Sequence, residues 1–132
     1  MIKKYYDQDC DLKLLDGKTI AVIGFGSQGH AHAQNLKESG CSVVVGLRPD
    51  SKSAKSARDA GLDVMDVESA AEKGDIVMML VPDEKAADIY NRQVAPHMKE
   101  GNVLMFAHGF NIHYQLIKPD ECLDVIMVAP KG

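Results

Sequence analysis

The sequence predicts an α/β fold, a doubly wound and mainly parallel sheet between two layers of helices. Three observations carry this. Six short apolar runs alternate with polar stretches of helical pattern. Glycines stop several of those stretches. The first apolar run opens into a glycine-rich loop that leads into a helix. Strands joined by helices require crossovers of one hand and a sheet covered on both faces. The order 3-2-1-4-5-6 closes such a sheet.

The elements follow in turn. Residues 18–23 form a buried strand by pattern, and 28–39 a helix stopped by Gly40. Residues 41–47 are β-branched and apolar, a second strand. Residues 53–60 read as a helix ended by Gly61, 62–65 as a short third strand, and 68–73 as a helix closed by Gly74. Residues 75–81 give the strongest strand signal, ended by Pro82. A long helix begins at Asp83-Glu84, whose acids suit the positive end of the helix dipole. Pro96 kinks it or begins a separate turn. Residues 102–107 and 124–129 are the fifth and sixth strands, with a helical turn at 112–116 between them. The segment before Lys18 reads as an arm or edge element.

Composition fits one globular domain: 132 residues, 45% hydrophobic and 26% charged. The net charge of -4 argues against general nucleic-acid or membrane-surface binding, which needs a basic face. The start has no apolar signal core, and no run approaches a membrane span. Cys10, Cys41 and Cys122 are scattered and form no CxxC pair, so a reduced, cytoplasmic protein without a zinc site is expected.

Gly24-Phe25-Gly26-Ser27-Gln28-Gly29 is a GxGxxG between a strand and a helix. In that context it is a dinucleotide fingerprint of the Rossmann type. Gly24 permits the turn, Gly26 lets backbone approach a pyrophosphate, and Gly29 lets helix and strand pack closely. The helix start then presents N–H groups to the anion. A domain that binds NAD places an acid at the end of the second strand. No acid occurs from Ser39 through Pro49, and Arg48 follows the strand end. Arg48, with the hydroxyls of Ser51 and Ser53, suits a 2′-phosphate, so NADPH is the expected coenzyme. Asp50 is discordant and is expected to point outward. A polar turn with an N-cap at Ser51 or Ser53 is the plain alternative, compatible with phosphate binding.

The stretch from Gly24 through His30-Ala31-His32-Ala33 closely resembles the fingerprint of ketol-acid reductoisomerases. Val81-Pro82-Asp83-Glu84, Ala107-His108-Gly109-Phe110-Asn111-Ile112 and Ala129-Pro130-Lys131-Gly132 resemble that family's motifs, in the same order. Phe25 stands where the family commonly has Tyr; it keeps the ring and loses the hydroxyl.

The resemblance implies a reaction: 2-acetolactate or 2-aceto-2-hydroxybutyrate becomes a 2,3-dihydroxy acid, on the path to the branched-chain amino acids. A magnesium-dependent alkyl migration precedes hydride transfer from NADPH. It further implies that Phe25, Gly26, Ser27, Gln28, Arg48, Ser51, Ser53, Asp83, Glu84, Lys85 and Ala86 contact the coenzyme. His108 and Lys131 would be active-site residues. Both follow the carboxyl ends of strands, where open α/β sheets bind ligands. A strand-end histidine bonded to backbone and a solvated lysine are the plain alternatives. His30 and His32 are assigned to packing or local hydrogen bonds, His97 and His113 to the surface, and Met78, Met79 and Met105 to the core.

In the family, the Mg2+ ligands and much of the substrate pocket lie in a second, helical domain. No acid cluster here has the look of such a site. These residues are therefore expected to bind NADPH as a single domain without turnover, and to expose an apolar face that favours self-association. Two other readings share the plan: the coenzyme domain of another NADP-dependent dehydrogenase, and a non-catalytic NADPH-sensing domain.

Overall fold

The computed structural model describes residues 1–129, apart from the side chains of Ser27 and Gln28. Strands β1 (Thr19–Ile23), β2 (Ser42–Gly46), β3 (Asp63–Met65), β4 (Ile76–Met79), β5 (Val103–Phe106) and β6 (Asp124–Met127) form one sheet. Helices α1 (Ser27–Glu38), α2 (Lys52–Asp59), α3 (Val67–Lys73), α4 (Asp83–Ile89) and α5 (Phe110–His113) connect them. The strand order is β3-β2-β1-β4-β5-β6, and every neighbouring pair is parallel. The predicted sheet is therefore the observed one.

Register aligns the strand ends. Ile23 lies level with Gly46 and Met79, Met79 with Phe106, and Phe106 with Met127. All carboxyl ends thus share one edge, and the loops that leave it meet there.

Alternate strand residues feed opposite faces, as the two-residue period requires. Ala21, Ile23, Val77, Met79, Leu104 and Phe106 pack with residues of α3, Ala86 of α4, and Tyr90 and Val94 beyond it. Ile20, Val22, Val45 and Met78 pack instead with Phe25, Ala33 of α1 and Ala57 of α2. Met78 and Met79 are buried and Met105 half-buried, a core role for all three. His113 is exposed, whereas His97, expected at the surface, is half-buried.

The boundaries differ from the sequence reading in instructive places. The long helix after Pro82 is three pieces: α4, a π turn over Tyr90–Val94 and a 3-10 turn over Ala95–His97. Pro96 sits in the first turn of the last piece, where its missing N–H costs least. The helical turn expected at 112–116 lies earlier, as α5. The Asn111 carbonyl accepts from the N–H groups of both Leu116 and Ile117 and ends it, with Gln115 at φ 58°. Strand β4 starts one residue late, at Ile76; just before it, Asp75 Oδ2 accepts from Thr19 N–H at 2.9 Å. Before β1, the chain makes two short 3-10 turns, Asp7–Asp9 and Leu12–Leu15, and buries none of their residues.

Candidate functional site

The loops at the carboxyl edge enclose a cleft of about 520 Å³. Its floor is the glycine loop, and one wall is the β4–α4 turn. The other wall is the segment from Phe106 to Asn111.

The three glycines divide by cause. Gly24 has φ +103°, and a Cβ there would meet the Leu80 carbonyl oxygen at 2.8 Å. A Cβ on Gly29 would meet the Gly24 carbonyl oxygen at 2.7 Å. Both are glycine because the protein's own backbone passes close. Gly26 is different: its φ is -75°, and a Cβ there would meet nothing within 4 Å. Nothing described inside the protein requires a glycine at 26. The open space above it fits a backbone-bound ligand.

Gly26 is also the N-cap of α1, with no side-chain cap. The first N–H groups of this 12-residue helix therefore keep their hydrogen-bonding capacity, beside the positive end of its dipole. A diphosphate fits that donor set. Ser27 and Gln28 begin the helix, and their side chains lie outside the described residues. Phe25 is buried, and its ring meets the His30 ring edge-on at 5.1 Å between centroids. It lines the cleft while anchoring the loop to the core.

At the end of β2, Gly46 is held close: a Cβ would meet Ile23 Cδ1 at 2.7 Å and Ala70 Cβ at 3.0 Å. Leu47 lines the cleft where an NAD-binding domain has its acid. Arg48 and Asp50 are exposed and outside the lining. Ser51, not Ser53, is the N-cap of α2. Its Oγ accepts from Ala54 N–H at 3.1 Å and donates to the Arg48 carbonyl at 2.8 Å. Ser51 thus donates within its own loop, in the N-cap arrangement that is compatible with phosphate binding. Its hydroxyl shapes the turn that presents Arg48. Ser53 is half-buried and lines the cleft.

Across the cleft, Asp83, Lys85 and Ala86 line the α4 side, while Glu84 is exposed and outside the lining. His108 is exposed two residues beyond β5. It lines both this cleft and a second of about 390 Å³, bounded by β6 and α5. Lys131 lies outside the described residues. So Gly24, Phe25, Gly26, Ser53, Asp83, Lys85, Ala86 and His108 are brought together; Gly29 supports them, and Arg48, Ser51 and Glu84 stand off the wall.

Sequence reasoning did not single out Leu47, Ile89 or Asn111 as site residues, yet all three line the cleft. The first two read as ordinary core. Asn111 lay inside a motif already noted, but its burial depends on tertiary packing. Only 2% exposed, it donates from Nδ2 to the Asp83 carbonyl at 3.4 Å. Its Oδ1 is buried without a hydrogen-bond partner among the described residues.

Among the described residues, the two groups with displaced pKa values do not line the cleft. The Ser69 N–H and hydroxyl hold the Asp66 carboxyl below its ordinary value at the N-cap of α3. Burial, aided by Asp120 and Cys122, pushes the Tyr90 hydroxyl up. Among the described residues, no three His, Cys, Asp or Glu side chains gather as a metal site. No described helix is long and apolar enough to cross a membrane.

Comparison with known proteins places this geometry. Residues 14–132 match the family model of the acetohydroxy acid isomeroreductase NADPH-binding domain. The fold superposes on an NADH-preferring ketol-acid reductoisomerase from an uncultured archean, with TM-score 0.93 and 45% identity over 99% of this chain. The chain spans 41% of that protein's length. A Mycobacterium tuberculosis 3-hydroxyisobutyrate dehydrogenase (TM-score 0.71, 18% identity, 87% of this chain and 41% of that one) shares the fold alone. So does a Cupriavidus necator semialdehyde dehydrogenase NAD-binding protein (TM-score 0.72, 23% identity, 83% of this chain and 40% of that one). A glycine loop under an uncapped helix, in a sheet that matches this family along nearly its whole length, means that the chain belongs to the acetohydroxy acid isomeroreductases, as their nicotinamide-dinucleotide-binding domain.

Proposed function

We propose that this domain binds NADPH in preference to NADH and serves as the coenzyme half of a ketol-acid reductoisomerase. The carrying observation is the pairing of the open, uncapped α1 N-terminus at Gly26 with a β2 end that offers Leu47 and Arg48 in place of an acid. Family membership alone does not decide the coenzyme, because the archean relative prefers NADH. The choice rests on charge. A carboxylate would repel a 2′-phosphate, whereas an exposed guanidinium attracts one.

In this reading the N–H groups of Ser27, Gln28 and Gly29 hold the diphosphate. Arg48 and Ser53 bind the 2′-phosphate, and Ser51 holds their turn in shape. The stretch from Asp83 to Ala86 borders the nicotinamide half. The bound coenzyme supplies the hydride. His108, at the mouth of both clefts, is placed to stabilise or shuttle charge beside a reacting carbonyl, and Lys131 joins it there.

The whole reaction, Mg2+-dependent alkyl migration in an acetohydroxy acid followed by reduction, in the cytoplasm, is proposed for the full-length family enzyme. A polypeptide of these 132 residues binds coenzyme without turning over acetolactate. The apolar β6 face is its surface for association with a second copy.

Calorimetric titration of the 132-residue polypeptide with NADPH tests the binding. One saturable site is expected, weakened at least about tenfold in Gly26→Ala, whose methyl would occupy the space for the diphosphate. No saturable binding, or equal binding by that variant, contradicts the proposal.

A further inference from the structure

Asn111 is a polar side chain where packing alone favours a hydrocarbon. It is 2% exposed and sits in the cleft wall between the β4–α4 and β5–α5 turns. Its amide orientation is set by chemistry: the Asp83 carbonyl can only accept, so Nδ2 must face it. That leaves Oδ1 buried with no partner among the described residues. A buried carbonyl without a donor is destabilising, and an apolar residue of the same shape would remove the deficit. The 3.4 Å contact to Asp83 is long and holds the amide loosely.

The strand order says which part of a dinucleotide lies nearby. The diphosphate belongs over α1, after β1, and the phosphorylated ribose beside Arg48, after β2. The nicotinamide half must then extend the other way, over β4 and β5, where Asn111 stands. That half carries hydrogen-bond donors of two kinds, the ribose hydroxyls and the carboxamide N–H.

We propose that Asn111 is a coenzyme-contact residue whose Oδ1 accepts a hydrogen bond from a donor on the nicotinamide half, while its Nδ2 ties the β4–α4 turn to α5. A small rotation of the loosely held amide turns the oxygen toward the cleft. This inference rests on the dinucleotide reading above.

The test compares wild type and Asn111→Leu by calorimetry with NADPH and with 2′,5′-ADP, which lacks the nicotinamide half. The variant is expected to lose about fivefold or more in NADPH affinity, to bind 2′,5′-ADP as wild type does, and to melt no lower than wild type. A lower melting temperature with unchanged NADPH affinity overturns the proposal and leaves Asn111 a structural strut. Failure of wild type to bind NADPH at all would instead overturn the dinucleotide reading. NMR of the wild-type Asn111 side-chain amide gives a test without a variant. Its resonances should move on adding NADPH and stay still with 2′,5′-ADP; no movement with saturating NADPH contradicts the contact.

Discussion

Strands β1 and β6 carry similar apolar runs and both pair in parallel, yet their surroundings are opposite. In β1, Ala21, Val22 and Ile23 have no exposed surface. In β6, Val125, Ile126 and Met127 are 43%, 42% and 58% exposed. The central strand is sealed by helices on both faces; the edge strand has a buried strand's composition on a surface. The difference carries into the two clefts. The one over β1 is walled by the domain's own loops, whereas the one beside His108 is bounded by exposed β6 residues. The first cleft is thus bordered largely by buried and half-buried residues, and the second presents apolar surface of the kind that marks association.

Substitutions on the coenzyme side should break this comparison hardest. Gly24→Ala drives a methyl into the Leu80 carbonyl at a positive φ. It should cost about 3 kcal/mol or more by chemical denaturation, or prevent folding. Gly26→Ala, two residues on, should cost no more than about 1 kcal/mol, the loss of a glycine N-cap, because its methyl meets nothing within 4 Å among the described residues. Its loss of coenzyme affinity would then be a loss of function without a loss of fold. Equal destabilisation by the two would erase the distinction between packing and ligand glycines.

The β6 side should respond differently. Val125→Lys places a charge on a surface already 43% exposed, so stability should change by less than about 1 kcal/mol. Self-association should weaken, read by sedimentation velocity over a concentration series. A monomeric wild type would remove the proposed association of copies through β6.

The smallest effect concerns Asp66, which lines neither cleft. Its folded pKa is lowered from 3.8 by the Ser69 hydrogen bonds, so the ionised form is the one that folding favours. Its contribution is present above that ordinary value and is lost as pH falls toward the lowered one. Asp66→Ala should therefore lower the melting temperature slightly near neutrality and converge on wild type in acid. A gap that persists in acid would show that the cap does not act through its charge.

The fold was readable because its signals are local. Each strand run, each glycine stop and the loop from Gly24 to Gly29 declare themselves within a few residues, and parallel winding leaves few ways to join them. The site was readable only in part. Gly24, Gly26, Ser53, Asp83, Lys85, Ala86 and His108, all singled out in the sequence, line one cleft. Leu47 and Ile89 line it too, but an apolar residue at a strand or helix end looks the same whether it faces core or ligand. The Ser51 hydroxyl could be recognised as a cap, but its proton's destination, the Arg48 carbonyl, depends on the folded turn. Asn111 escaped for the same reason, since burial of a polar side chain is a property of the assembled walls.

One paired measurement decides the coenzyme choice. Titrating the wild-type chain with NADPH and with NADH under the same salt should give at least about tenfold tighter binding of NADPH, the scale of one charge-assisted contact. Replacing Arg48, Ser51 and Ser53 together by Asp should reverse the order. Equal affinities, or a wild-type preference for NADH like that of the archean relative, would contradict it.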